Sequence, residues 1–435
     1  MGEELINVAV VLAVVCVPVA YWLRYRRTLT ASRQKLHIAA EKGMTEPASL
    51  HPMIDANRCI STGACLDACP EGGILGIVNG RAELVSPTKC IGHGACLMAC
   101  PVDAISLVFG TERRGVDIPH IRETFETNVD GIYIAGELGG MGLIRNAITQ
   151  GREAVDFISK SLKDRDPQIL DLIVVGAGPG GLSDALQARK RGLRSLTVEQ
   201  EEEIGGTILS YPRQKIVMTE PMDIPMYGKF RKKEVLKEEL VDLFREITAK
   251  YPIPVNAGER VESIERHNGH FRVTTNLTEH LAKRVLLAIG RRGTPRKLGV
   301  QGEASSKVTY KLLDPEQYKH KHILVVGGGD SAVEAAISLS EQEGTMVSLS
   351  YRRNAFSRLK EANETRIRQV SEAGMVKVYF ESTVKEIQPD NVVLTQHDRE
   401  LVVRNDFVFV MVGGELPTAF LQKVGVHTIT KFGER

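Results

Sequence analysis

The sequence predicts an α/β chain with two doubly wound parallel-sheet domains, a small cysteine-rich α+β segment and one apolar helix at the amino terminus. Three observations carry that prediction: a buried strand running into a glycine-rich turn and a helix occurs twice, a twelve-residue cysteine phrase occurs twice, and a charge-free apolar run stands near the start. At 435 residues and 43% hydrophobic, the chain can bury two or three ordinary cores. Its 56 basic residues against 54 acidic leave no charge excess, which argues against nucleic acid as a partner.

The run Leu5 to Leu23 (LINVAVVLAVVCVPVAYWL) carries no charge and has the length of a helix that crosses a hydrocarbon layer roughly 30 Å thick. Glu3 and Glu4 precede it and Val15 stands before Cys16, which disfavours a cleaved signal or a lipoprotein site. Arg24, Arg26, Arg27, Arg33 and Lys35 follow, with Tyr21 and Trp22 at the boundary. The expectation is a single-pass anchor in the cytoplasmic membrane, with soluble domains facing the cytoplasm. A buried core helix is the alternative, disfavoured by the absence of a polar stripe. Residues 28–50 read as a polar, basic tether, helical up to Gly43.

Residues 59–70 read CISTGACLDACP and residues 90–101 read CIGHGACLMACP. Both resemble the bacterial dicluster ferredoxin motif, C-x2-C-x2-C-x3-C-P, in which the last cysteine reaches across to the other cluster. That resemblance implies that Cys59 and Cys65 with Cys100 hold one iron–sulfur cluster, and Cys90 and Cys96 with Cys69 a second. The second cysteine of each phrase is replaced, by Thr62 and by His93. Three thiolates suit a three-iron cluster, or a four-iron cluster whose last iron takes another donor. His93 reads either as that ligand or as a hydrogen-bond donor near cluster sulfur, and Thr62 is a poor ligand. Zinc sites rarely show this doubled, proline-terminated spacing, and a reducing compartment disfavours disulfides.

The segment ILDLIVVGAGPGG at 169–181 is a buried strand entering G-x-G-x-x-G, with Gly176, Gly178 and Gly181 at the glycine positions, Pro179 between them and Glu199 ending the next strand. Such glycines allow a backbone to approach a pyrophosphate at a helix N-terminus, and such an acid binds a ribose hydroxyl. KHILVVGGGDSA at 321–332 repeats the pattern, with Gly327, Gly329, Asp330, Ser331 and Ala332 in the turn. Its second strand ends at Arg352 and Arg353 instead of an acid, which favours NADP over NAD because guanidinium matches a 2′-phosphate. A solvated basic loop is the competing reading.

Two such sites, with the junction VLLAIG ending at Gly290, resemble the thioredoxin reductase-like flavoproteins of the pyridine nucleotide-disulfide oxidoreductase superfamily. The resemblance implies FAD at the first site, with Gly206 and Thr207 beside it, and the nicotinamide cofactor at the second. SYRRNAFSR is similar to the bacillithiol-disulfide-reductase-like branch. The family's closing phrase is missing after Pro417 and occurs instead at Thr127 to Glu137 (TNVDGIYIAGE), with Gly136 and Glu137 at its end. This implies a circular permutation in which an upstream segment completes the FAD domain.

The fold expected is therefore α/β: two doubly wound Rossmann-type dinucleotide-binding domains, a ferredoxin-like α+β dicluster domain and one N-terminal transmembrane helix. The expected boundaries are 1–27 for the anchor, 28–50 for the tether, 51–110 for the dicluster domain and 111–165 for the FAD-capping segment. The FAD domain takes 166–295, the NAD(P) domain 296–405, and 406–435 returns to the FAD domain. No cysteine follows Cys100, so a dithiol in the flavoprotein part is excluded.

The expected function is a membrane-anchored, FAD-dependent NAD(P)H oxidoreductase passing electrons between nicotinamide, flavin and two clusters (three-iron or four-iron). An external redox protein or complex (a cytochrome, a ferredoxin or a quinone-linked one) gives or takes them. Hydride exchange at the flavin needs no catalytic acid or base from the chain, and none is named. The alternatives are a non-catalytic docking subunit and a quinone-reducing or bifurcating enzyme. A homodimer is possible by analogy with the family.

Overall fold

No glycine occurs between Gly2 and Gly43, and the chain forms one helix, α1 (Gly2–Glu41), that carries Pro18 within it. A computed structural model describes residues 2–41, 43–47, 50–140, 142–162, 166–211, 213, 215–218, 221–291, 294–357, 359–415 and 417–433. Contacts divide the chain into two units, Met1–Val116 with Lys431–Arg435, and Asp117–Thr430.

The expected transmembrane anchor, and with it the single-pass location in the cytoplasmic membrane, is corrected: among the described residues no helix is long and apolar enough to cross a membrane. The apolar run is only part of a 40-residue helix whose second half is charged. The side chains of residues 2–13 and of Tyr21, which belong largely to that run, lie outside the described residues.

The expected tether is corrected as well, because the second half of α1 packs within its own unit. Ser32 and Ala39 are buried, and Leu29 joins the small core of that unit. A Cβ at Gly76 would stand 2.5 Å from Ser32 Oγ, so only glycine permits this close approach of helix and strand. Arg33 adds a hydrogen bond from Nη2 to Asn79 Oδ1 at 3.3 Å.

The rest of the first unit is short. Strands β1 (Leu50–Ile54) and β4 (Ile105–Phe109) pair antiparallel, β2 (Leu75–Val78) and β3 (Arg81–Leu84) form a hairpin, and α2 (Ala64–Asp67) and α3 (Ala95–Met98) are single turns. Cys65, Leu75, Ile77, Ala82, Cys96 and Ile105 form its core.

The second unit contains β5 (Ile132–Ile134) and α4 (Ile144–Ser161), followed by β6 (Leu170–Val175), α5 (Pro179–Lys190) and β7 (Ser195–Val198). Then come α6 (Lys237–Lys250), β8 (Val255–Asn256), β9 (Val261–His267), β10 (His270–Thr275) and β11 (Glu279–Leu287). The sheet order is β8-β7-β6-β11, with β10 and then β9 beside the first half of β11 and β5 beside its second half. Strand β5 runs parallel to β11, pairing Ile132 with Val285 and Ile134 with Leu287. A strand from well upstream of the first glycine motif thus lies in the sheet that bears that motif. One face packs Ile132, Ile134, Ile173, Val175, Val285 and Leu287 against Leu421, Val424 and Val426. The other packs Tyr133, Leu172, Val174 and Leu286 against Ala154, Val155 and Ile158 of α4. Burial on both faces explains the apolar run Leu172–Val175 in β6.

A second parallel sheet has the order β12-β19-β13-β14-β15, formed by β12 (Val308–Thr309), β13 (His322–Val326), β14 (Met346–Tyr351), β15 (Val376–Phe380) and β19 (Phe407–Val410). Helices α7 (Asp330–Ser340) and α8 (Glu361–Glu372) belong to it. An antiparallel sheet of β16 (Ser382–Ile387), β17 (Asn391–Gln396) and β18 (Arg399–Arg404) precedes β19. The boundary expected at residue 406 is corrected, because Phe407–Val410 is an interior strand of this second sheet, between β12 and β13. The chain leaves that half only afterwards: Gly414 and Glu415 pair with Pro295 and Thr294, and α9 (Thr418–Lys423) places Leu421 in the first core. Residues 431–433 belong to the first unit.

Candidate functional site

Two recesses lie in the first unit. Cys59, Cys65 and Cys100 line one, with Ser61, Thr62 and Val102. Cys69, Cys90 and Cys96 line the other, with Glu71, Gly92 and His93. Each draws two thiols from one copy of the phrase and the third from the other copy. The repeated G-A-C places them: Gly63 and Gly94 take the left-handed conformation (φ 77° and 78°) and start α2 and α3, which carry Cys65 and Cys96. All seven cysteines are free. Among the described residues no group of three or more His, Cys, Asp or Glu is gathered for a single metal ion, and the thiols of each recess stand around it.

The sulfurs meet backbone donors. Ala104 N donates to Cys100 Sγ at 3.2 Å and Ala82 N to Cys59 Sγ at 3.5 Å, and the amides of Glu71 and Gly72 donate to Cys69. Burial pushes the Cys65 and Cys69 thiols up, and pushes Cys90 and Cys96 up to about 11, with neighbouring sulfurs adding to both. Such recesses disfavour uncompensated thiolates, so thiolate ligation there would need a cationic centre to supply the opposing charge. Apolar surroundings with N–H donors aimed at sulfur fit an iron–sulfur cluster.

In the second unit β6 ends at Val175, and the chain turns through Gly176 and Gly178 into α5, with Pro179 in its first turn. A Cβ on Gly181 would lie 1.8 Å from Gly176 O, so strand, turn and helix close up only with glycine there. Glu199 is buried just past β7, and its carboxylate accepts from Ala177 N at 2.6 Å and from Glu201 N at 3.0 Å. The acid is thereby held against the glycine turn. Gly206 and Thr207 begin the short turn Gly206–Ser210, where Gly206 approaches Gly178 and Thr207 is exposed. Gly290 lies just beyond β11 with a positive φ of 66°.

The upstream segment is bonded to this site. Gly136 N donates to Gln150 Oε1 of α4 at 2.9 Å, and Glu137 beside it is half-buried. Helix α4 meets α5 through Ser183 Oγ, which donates to Ile148 O at 2.6 Å. At the same contact a Cβ on Gly151 would stand 2.6 Å from Asp184 Oδ1 and 2.7 Å from Gly180 O. Asp184 was not anticipated. It is fully buried, neither carboxyl oxygen has a hydrogen-bond partner among the described residues, and burial holds it well above the usual carboxylate range. A lone acid in GGLSDALQA was the only signal.

The second turn, Gly327 to Gly329, joins β13 to α7. Gly329 and Ser331 are exposed at its lip, and Ala332 is buried beneath. Asp330 is engaged at the start of α8, where its Oδ1 accepts from Lys360 N at 2.9 Å and from Asn363 Nδ2 at 2.8 Å. Arg353 Nη1 donates to Ser357 Oγ at 3.2 Å. Arg352, beside it just past β14, is exposed.

The sequence profile described as pyridine nucleotide-disulphide oxidoreductase matches residues 173–433, and that described as 4Fe-4S dicluster domain matches 51–101. A ferredoxin–NADP reductase of Acholeplasma laidlawii is 34% identical over 193 residues, which are 44% of this chain and 57% of that protein. The chain thus spans little more than half the length of the curated relatives it first matches. Bacilliredoxin reductase Bdr of Bacillus subtilis is 29% identical over 263 residues, covering 59% of this chain and 80% of the relative. Among solved structures, bacillithiol disulfide reductase Bdr (YpdA) from Bacillus cereus superposes with a TM-score of 0.55 at 27% identity, over 60% of this chain and 82% of that one.

Proposed function

The chain belongs to the pyridine nucleotide-disulphide oxidoreductase family, and from that premise we propose that it passes electrons between NADPH, FAD and two iron–sulfur clusters, to or from an external redox protein. The observation that carries this reading is the pair of recesses, each ringed by three thiols, in a chain with two dinucleotide turns and no cysteine after Cys100. A flavin held there would supply hydride exchange with nicotinamide and single-electron exchange with the clusters.

The chain's own groups bind and orient. In this reading the N-terminus of α5 takes the FAD pyrophosphate and Glu199 a ribose hydroxyl. Gly136, Glu137, Gly206, Thr207 and Gly290 surround the same cofactor. The turn from Gly327 to Ala332 takes the nicotinamide dinucleotide, and Arg352 and Arg353 favour its 2′-phosphate. Cys59, Cys65 and Cys100 hold one cluster, and Cys69, Cys90 and Cys96 the other. The relative from Acholeplasma laidlawii is named for ferredoxin and NADP together, and here a dicluster domain stands in the same polypeptide. We also read residues 111–165 as a permuted part of the FAD domain, supported by the pairing of β5 with β11.

The test compares cytochrome c reduction with flavin bleaching in a Cys65→Ser, Cys96→Ser double variant. NADPH is expected to bleach the flavin as before while cytochrome c reduction falls at least tenfold. Unchanged cytochrome c reduction would remove the clusters from the path.

A further inference from the structure

The two recesses are copies of one another, so each position in one has a counterpart in the other, and the positions that differ show what is particular to each. Cys69 corresponds to Cys100, His93 to Thr62, Glu71 to Val102 and Gly92 to Ser61. All of these residues line their own recess. The recess of Cys69, Cys90 and Cys96 therefore adds an imidazole and a carboxylate to its three thiols, where the other adds two hydroxyls and an isopropyl group.

Exposure widens the difference. His93 is 8% exposed, whereas Thr62 is exposed and its hydroxyl accepts from Ala64 N at 3.4 Å, at the start of α2. Glu71 lines the same recess as Cys69, Cys90 and His93. Three thiolates bind three irons, and a fourth needs a further donor. Imidazole nitrogen and carboxylate oxygen are good iron donors, a hydroxyl is a poor one, and an isopropyl group is none.

We propose that the two iron–sulfur sites are chemically distinct: the recess of Cys69, Cys90 and Cys96 retains a fourth iron through His93 and Glu71, and the recess of Cys59, Cys65 and Cys100 gives its fourth iron no protein ligand. This rests on the iron–sulfur reading above. The first site keeps a four-iron cluster under mild oxidation. At the second, oxidation removes one electron and releases the unligated iron as ferrous ion, leaving a three-iron core.

The test uses the full-length protein, reconstituted anaerobically with iron and sulfide and then treated with limiting ferricyanide as the electron acceptor. Low-temperature EPR counts three-iron cores and a chelator counts released ferrous ion. The wild type is expected to give about one three-iron signal per chain, with about one ferrous ion released. Thr62→Cys, which restores the missing thiolate, should abolish both. Glu71→Gln with His93→Ala should roughly double both, and this arm stands by itself if Thr62→Cys does not fold. Equal behaviour of the two sites, or a double variant indistinguishable from wild type, overturns the inference and leaves the cluster reading intact. Failure of the wild type to bind iron at all overturns both.

Discussion

Asp184 buries a carboxyl completely inside α5, and no donor among the described residues reaches either oxygen. Desolvation raises its pKa, so the neutral acid is the folded form over a range where the unfolded chain is ionised. Its contribution to stability is fully present below the unfolded value of about 3.9 and is lost as pH rises through the higher folded value. Asp184→Asn, which cannot ionise, is therefore expected to raise Tm at pH 8 and to change it little near pH 4. A shift on the order of 2–4 °C corresponds to each kcal/mol in a domain of a few hundred residues, and a thermal melt at the two pH values checks it. Arg352 gives a second residue-level prediction. Arg352→Ala should lower kcat/KM for NADPH about 10- to 100-fold and leave NADH nearly untouched, as loss of a charged hydrogen-bond partner implies. Glu199 and the six cysteines could be read from spacing, because turn geometry and cluster binding dictate residue type at fixed intervals. Asp184 could not, since helical periodicity does not say that a single acid faces a neighbouring helix.

Helices α4 and α5 touch where Gly151 faces Asp184 and Gly180 O. Gly151→Ala is expected to cost about 1–3 kcal/mol in chemical denaturation, as overpacked sites do. Adding Asp184→Ala should recover part of that cost, and a non-additive double-mutant cycle is the readout. If the two changes simply add, the helices do not meet in this way. At this scale the sequence was legible for β6, β13 and their helices, whose apolar runs end in glycine turns. It misled at α1, because hydropathy registers an apolar run but not that the charged half of the same helix packs Leu29, Ser32 and Ala39 into its own unit. It also misled at Phe407–Val410, where an apolar strand before GELPT looks the same whichever sheet receives it.

At the scale of the whole molecule, chain order and sheet order part at β5, which precedes the first glycine motif by some forty residues and still lies beside β11 in that motif's sheet. The phrase TNVDGIYIAGE made the expectation legible through its resemblance to the family's closing phrase, and its Ile132–Ile134 core is buried on both faces of the sheet. The same order puts the cysteine repeats directly ahead of β5, so a single polypeptide carries both kinds of redox site. The most direct test of that arrangement is an anaerobic NADPH titration of the purified protein, followed by visible absorption for the flavin and by low-temperature EPR for the clusters. Flavin bleaching accompanied by new signals from reduced clusters is the predicted result. Bleaching that leaves the cluster signals unchanged at every NADPH concentration would contradict an internal electron path.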